Sequence, residues 1–196
     1  MQALIEAATG GDPEAQYELA LRHDNGQDPA GEQGRDAVEA ARWYRLAANQ
    51  GHAGAQLHLG LLYDSGDGVE KNEALAAQWY RKSADQGNAD AQVNLGLMYL
   101  NGSGVAKNEG AAVHCFRMAA ETGHPKAQFN LGALLYNGVG GNPDLGQVYQ
   151  WWTLAALKGH PSAQKNLELV AGKLNREQLA AAQAAVADVI RRTQPV

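Results

Sequence analysis

The sequence predicts an all-α solenoid of helix-turn-helix repeats with a C-terminal capping helix, and three observations carry the prediction. The pair Ala-Gln returns at Ala55-Gln56, Ala91-Gln92, Ala127-Gln128 and Ala163-Gln164, 36 residues apart each time, with Ala15-Gln16 a further 40 upstream. A capping side chain recurs at the same interval, as Asp36, Asn72, Asn108 and Asp144. Glycines punctuate the chain at matching places between apolar stretches of helical spacing. Such a period marks an array in which each unit stacks on its neighbours because it cannot bury its apolar face alone. We therefore expect one repeat domain over residues 1–196, opening on the tail of a leading helix (1–11). Repeats follow over about 12–51, 52–87, 88–123 and 124–159, then a half repeat (160–172) and a capping helix (175–192).

Each repeat reads as two helices, A and B. Helix A is expected to start at Pro13, Pro125 and Pro161 in three units, since proline suits the first helical position, where an N–H has no partner. The preceding residue then caps it: Asp12 and Asn88 are good caps, and His52, His124 and His160 hold the place elsewhere. Within helix A, Leu59, Leu95 and Leu131 precede Gly60, Gly96 and Gly132. Glycine inside a helix costs about 1 kcal/mol against alanine, so its recurrence predicts a neighbour too close for a Cβ. Gly26, Gly66, Gly102 and Gly138 are expected to stop helix A in a left-handed C′ conformation.

The loops Gly66-Asp67-Gly68-Val69 and Gly102-Ser103-Gly104-Val105 read as turns, because neither is followed by the Lys-Ser/Thr of a phosphate-binding loop. Helix B starts at the Asp/Asn caps and carries Trp43, Trp79, Cys115 and Trp151 in one column and Tyr44, Tyr80, Phe116 and Trp152 in the next. Small residues four places later (Ala48, Ala84, Ala120, Ala156) let neighbouring helices interlock. After the fifth A helix, Asn175-Arg176-Glu177-Gln178 resembles a capping box. Leu179, Ala182, Val186, Val189 and Ile190 then form one apolar stripe, as suits a helix that seals the last repeat.

Composition narrows the functional classes. A net charge of −5 and no dense Lys/Arg cluster disfavour nucleic acid. The single Cys115 excludes an intrachain disulfide framework and a multi-cysteine metal site. No stretch approaches the roughly 18 apolar residues of a membrane span, so no membrane insertion is expected. As it stands the chain reads as cytoplasmic; a removed leader would place it in the periplasm or outside the cell.

The motif Ala-x3-Leu-Gly-x2-Tyr-x2-Gly-x-Gly-Val over 91–105, with Ala-x2-Trp-Tyr-x2-Ser-Ala-x2-Gly over 76–87, resembles the Sel-one-like (SLR) repeat family, relatives of the tetratricopeptide repeat. The resemblance covers nearly the whole chain. It implies a right-handed α/α superhelix with a concave face lined mainly by helix A, and a role in binding proteins or peptides. One bacterial branch resembles β-lactamases or binders of cell-wall fragments, which implies an alternative as a cell-envelope ligand binder or enzyme. That branch carries a disulfide in each repeat, and this chain has one cysteine.

No catalytic set assembles from the sequence, and neither a cofactor nor a metal is expected. His52, His124 and His160 occupy equivalent places in stacked repeats, at least about 8 Å apart. Zinc needs nitrogen ligands near about 2 Å, so they read as caps. Cys115 stands in a buried column, which disfavours the thiolate. Arg45, Arg81 and Arg117 read as an exposed mixed face neutralised by Glu39, Glu73 and Glu109.

The candidate binding surface lies on the A helices. Two places before each column leucine stand Tyr17, Leu57, Val93, Phe129 and Lys165; two places after stand Leu21, Leu61, Leu97, Ala133 and Leu169. His58 holds the position of Asn94 and Asn130, while Asp64, Asn101, Tyr136 and Asn137 form a polar edge. An apolar floor flanked by amides and hydroxyls suits an extended peptide or amphipathic helix of a partner protein. The expected function is therefore that of a non-enzymatic scaffold or adaptor, of an oligomeric state the sequence does not set.

Overall fold

A computed structural model describes residues 2–27 and 34–193 as helices joined by short turns, with no strand element among the described residues. The extra four residues of the first repeat fall between Gly26 and Asp36, where 28–33 lie outside the described residues. The chain divides into two compact units, Met1–Lys107 and Asn108–Val196. The boundary falls inside the third repeat, between its A–B loop and its B helix.

The first unit contains α1 (Gln2–Thr9), α2 (Pro13–Asp24), α3 (Ala37–Asn49), α4 (Ala53–Ser65), α5 (Glu73–Asp85) and α6 (Ala89–Asn101). Here α2, α4 and α6 are A helices and α3 and α5 are B helices. The starts of α2 to α6 are fixed by the expected caps. Asp12 Oδ1 accepts from Glu14 N–H (3.0 Å), Asp36 Oδ1 from Glu39 N–H (2.9 Å) and Asn72 Oδ1 from Leu75 N–H (3.0 Å). His52 caps α4 as anticipated, its Nδ1 accepting from Ala55 N–H at 3.1 Å. Gly66 and Gly102 end α4 and α6 with φ of 81° and 74°, and their N–H groups bond back to Leu62 and Met98. A side chain at that φ is strained, which is why glycine recurs there.

Packing follows the interlock of large and small residues. Tyr44 and Tyr80 are fully buried, and a Cβ placed on Gly60 would stand 2.7 Å from Tyr80 Cδ1 and Cε1. The glycine inside α4 is thus the socket for a B-helix ring. Gly60→Ala is expected to destabilise the fold. Overpacking costs about 1–3 kcal/mol, against which alanine's helix propensity returns about 1 kcal/mol. A lower urea midpoint for the variant is the check.

The Ala-Gln pair that set the register has a structural task that spacing alone did not reveal. Gln16, Gln56 and Gln92 are buried, and their Nε2 groups each donate at 3.1 Å to a carbonyl near the end of the preceding B-type helix: Ala8, Ala48 and Ala84 respectively. Each of those carbonyls also accepts a backbone N–H from the turn that follows, of Gly11, Gly51 and Gly87, so the buried amide is its second donor. Gln56→Leu removes that second bond while Gly51 N–H still reaches the Ala48 carbonyl at 3.1 Å, and is expected to cost about 0.5–1.5 kcal/mol in chemical denaturation.

The second unit contains α7 (Glu109–Glu121), α8 (Pro125–Tyr136), α9 (Leu145–Leu157), α10 (Ala163–Ala171) and α11 (Arg176–Thr193). Asn108, His124 and Asp144 cap α7, α8 and α9 as predicted. Gln128 repeats the buried bond, donating to Ala120 O at 3.2 Å. Trp152 takes the socket at Gly132, where a Cβ would lie 2.5 Å from its Nε1. The capping helix forms with a reciprocal box: Gln178 N–H donates to Asn175 Oδ1 (2.9 Å) and Asn175 N–H to Gln178 Oε1 (3.0 Å). It packs on α9 and buries Ala182 and Val186.

One boundary departs from expectation. The fifth A helix begins at Ala163, not Pro161, and His160 does not cap it. The His160 ring instead stacks on Phe129 (4.2 Å, 15°), and Ala163 N–H bonds to His160 O in a turn (3.2 Å). Ser162 takes the cap position without a side-chain bond.

Candidate functional site

The A helices of the first unit carry most of the expected surface, and the structure separates its two rows. Leu57 and Val93, two places before the column leucines, are 9% and 4% exposed and belong to the packed interior. Leu61 and Leu97, two places after, are each 40% exposed. Leu21 is half-buried and packs against the core. Each exposed leucine sits four residues beyond its buried partner, so the two rows share one helix face and differ by one turn of height.

Around this row the polar groups are sorted by repeat. Tyr17 is half-buried and stacks on His52 (4.3 Å, 30°); its ring also lies 5.9 Å from Tyr44 and 5.8 Å from His58. His58 lies parallel to Tyr44 (4.9 Å, 12°). Asn94 is half-buried and Asn101 is exposed at the end of α6. The Tyr44 hydroxyl donates to Asp24 Oδ2 at 3.2 Å, and Arg35 bridges Asp24 and Asp67. Asp64 holds the place of Asp24 one repeat on and is half-buried.

Burial pushes the His58 imidazole below its usual value of 6.5, against the pull of the Asp24 and Asp90 carboxylates. The folded state therefore takes up this proton less readily than the unfolded chain. The stability that His58 contributes as the neutral form is fully present above its unfolded pKa and is lost as pH falls through the lower folded value. A smaller drop in urea midpoint between pH 7.5 and 5.5 for His58→Asn than for wild type is the expected result.

The second unit carries the remaining expected residues on α8. Phe129 is covered by His160, and its carbonyl accepts the Trp152 indole N–H at 3.1 Å. Asn130 is half-buried. The Lys173 ammonium lies 4.7 Å over the Tyr136 ring and also contacts its hydroxyl, and the ring sits 5.5 Å from Trp152. Asn137 is exposed and forms the C-cap of α8.

Two members of the arginine column, Arg45 and Arg81, are held by tyrosines, not by the glutamates expected from spacing. Arg45 donates to the Tyr63 hydroxyl (2.9 Å) and Arg81 to the Tyr99 hydroxyl (2.7 Å). Glu39 instead pairs with Arg42 and Glu73 with Lys71. The missed signal was the recurring tyrosine three places after the helix A glycine. Cys115 is buried, as its column implied. No helix among the described residues is long and apolar enough to cross a membrane.

Comparison with known proteins fits this architecture. The Sel1 repeat model matches residues 13–52, 53–88, 89–124 and 125–160. No curated protein matches. Among solved structures, a protective antigen present in uropathogenic Escherichia coli strains and displaying an SLR fold is 32% identical, with a TM-score of 0.80. That match covers 98% of this chain but 44% of the antigen, so the chain spans less than half of that relative's length. A Sel1 repeat protein from Oxalobacter formigenes is 35% identical with a TM-score of 0.76, over 85% of this chain and 68% of that one. The Helicobacter pylori cysteine rich protein B is 25% identical with a TM-score of 0.50, over 64% of this chain and 87% of that one. Sel1 repeat proteins are typically protein-interaction scaffolds, and the fold is generally non-catalytic. Four matched repeats, with 32% and 35% identity to two solved structures over 98% and 85% of the chain, make this chain a member of the Sel1 repeat family.

Proposed function

We propose that this protein is a non-enzymatic adaptor whose A-helix face in the first unit docks a segment of a partner protein. The observation that carries the reading is the exposure of Leu61 and Leu97 at equivalent places on α4 and α6, while Leu57, Leu59, Leu62, Val93, Leu95 and Met98 on the same helices are buried. Repeated exposed leucines on successive A helices offer anchors at regular intervals, as an apolar segment needs. Tyr17, Leu21 and His58 extend that floor, and Asp64, Asn94 and Asn101 supply polar groups for the segment's backbone and flanking side chains. Phe129, Asn130, Tyr136 and Asn137 are proposed for the same role on the second unit.

The experiment is selection of peptides from a displayed random library on the intact protein, followed by binding measurements on surface variants. Selected peptides rich in leucine-like anchors at helical or alternating spacing support the docking face. A library that yields no binder, or binders lost on altering the exposed Leu46 of α3 instead, contradicts it.

A further inference from the structure

Asp24 and Asp64 stand at the same place in successive repeats, at the ends of α2 and α4, and Tyr44 and Tyr80 stand at the same place on α3 and α5. In the earlier repeat these groups, together with Asp67 of the following A–B loop, hold a guanidinium. Arg35 sets Nε 2.8 Å and Nη2 2.6 Å from Asp24 Oδ1 and also donates from Nε to the Asp24 backbone carbonyl (3.1 Å). The Tyr44 hydroxyl donates to the other carboxylate oxygen at 3.2 Å.

The next repeat keeps the acid and the phenol, has Ser103 at the place of Asp67, and lacks the cation. Lys71 replaces Arg35 in sequence, and its ammonium pairs with Glu73 at 3.3 Å. Asp64 is left with no ion pair or side-chain hydrogen bond among the described residues. Tyr80 is fully buried, yet its hydroxyl has no hydrogen-bond partner among the described residues. A buried hydroxyl without a partner costs about 1–3 kcal/mol, so a tyrosine kept here calls for an explanation. Burial chiefly, and then the Asp64 charge, raise the Tyr80 phenol, so the two groups lie within electrostatic reach of each other. The ring anchors over Gly60, one helical turn before Asp64 on the same face of α4. The site also lies in the last turn of α4, where the carbonyl end of the helix favours positive charge.

We propose that Asp64, backed by the Tyr80 hydroxyl, seats the guanidinium of an arginine in the docked segment, as Asp24 and Tyr44 seat Arg35 in the preceding repeat. The inference rests on the docking face proposed above and names the chemistry of one of its subsites. Asp64 follows the exposed Leu61 by three residues, so a segment with an apolar anchor on Leu61 brings its neighbouring side chain to the seat. Arginine suits it better than lysine because a planar fork reaches a carboxylate oxygen and a backbone carbonyl together, as Arg35 does. The net charge of −5 favours a basic segment.

The test titrates the intact, isotope-labelled protein with the blocked peptide acetyl-Ala-Leu-Ala-Ala-Leu-Arg-Ala-amide and with its twin carrying neutral citrulline for arginine. The arginine peptide is expected to bind about tenfold more tightly and to shift the amide resonances of Asp64 and Tyr80. Asp64→Asn is expected to abolish the preference, while Glu70→Gln, a nearby exposed carboxylate, keeps it. Equal binding of the two peptides to wild type overturns the seat, as does a preference that survives Asp64→Asn or one that Glu70→Gln removes equally. Failure of the arginine peptide to bind at millimolar concentration also overturns it. The docking face is judged separately by Leu61→Glu/Leu97→Glu. If both peptides bind wild type equally and both are lost in that variant, the face stands and the seat falls.

Discussion

Trp152→Ala is expected to cost about 3–5 kcal/mol, the range for emptying a core aromatic site, and to shift the unfolding midpoint accordingly. The indole is 2% exposed and fills the socket formed by the absent side chain of Gly132, so no small rearrangement closes the space it leaves. Its N–H also bonds to the Phe129 carbonyl, and Phe129 and Tyr136 lie 6.3 Å and 5.5 Å from its ring. The variant therefore loses a transfer term, a cavity term and a hydrogen bond at once. Trp152→Phe keeps most of the volume and loses the bond, and is expected to cost markedly less. Denaturant unfolding of both variants separates the two contributions.

The second large effect is on recognition. Leu61→Glu/Leu97→Glu is expected to reduce binding of a library-selected peptide by at least about tenfold, because each anchor lost from the centre of an interface costs about 1–2 kcal/mol or more. Folding is expected to change by under about 0.5 kcal/mol per site, since surface substitutions away from caps and packing are usually tolerated. Leu46→Glu, an equally exposed leucine on α3, is the control and is expected to bind like wild type. Parallel loss of binding in the control would assign the effect to general charge.

Much of the fold was legible because each of its punctuation marks has a local cause. Asp36, Asn72, Asn108 and Asp144 bind their own first turns, and Gly66 and Gly102 adopt a conformation few other residues accept. Gly60 and Gly132 were readable as sockets because glycine within a helix is costly unless something occupies the vacated space. The start of α10 was not legible: His160 stacks on Phe129 as His52 stacks on Tyr17, yet His52 caps its helix and His160 does not, and no capping rule applied to the sequence of the two turns separates them. The candidate surface was half legible. Leu57 and Leu61 share one face of α4, so periodicity assigns them one environment, and only packing decides that the first is buried and the second exposed. The roles of Gln16, Gln56, Gln92 and Gln128 were open to a simple signal: a polar residue held at one place in four apolar helices must have a buried partner.

The docking role of the A-helix face is tested most directly by mapping where a selected peptide binds, from amide chemical shifts of the intact labelled protein. The account predicts that perturbations centre on His58, Leu61, Asn94 and Leu97 of α4 and α6. Perturbations centred on α3 and α5, around Leu46 and Arg81, with those four residues unmoved, would contradict it.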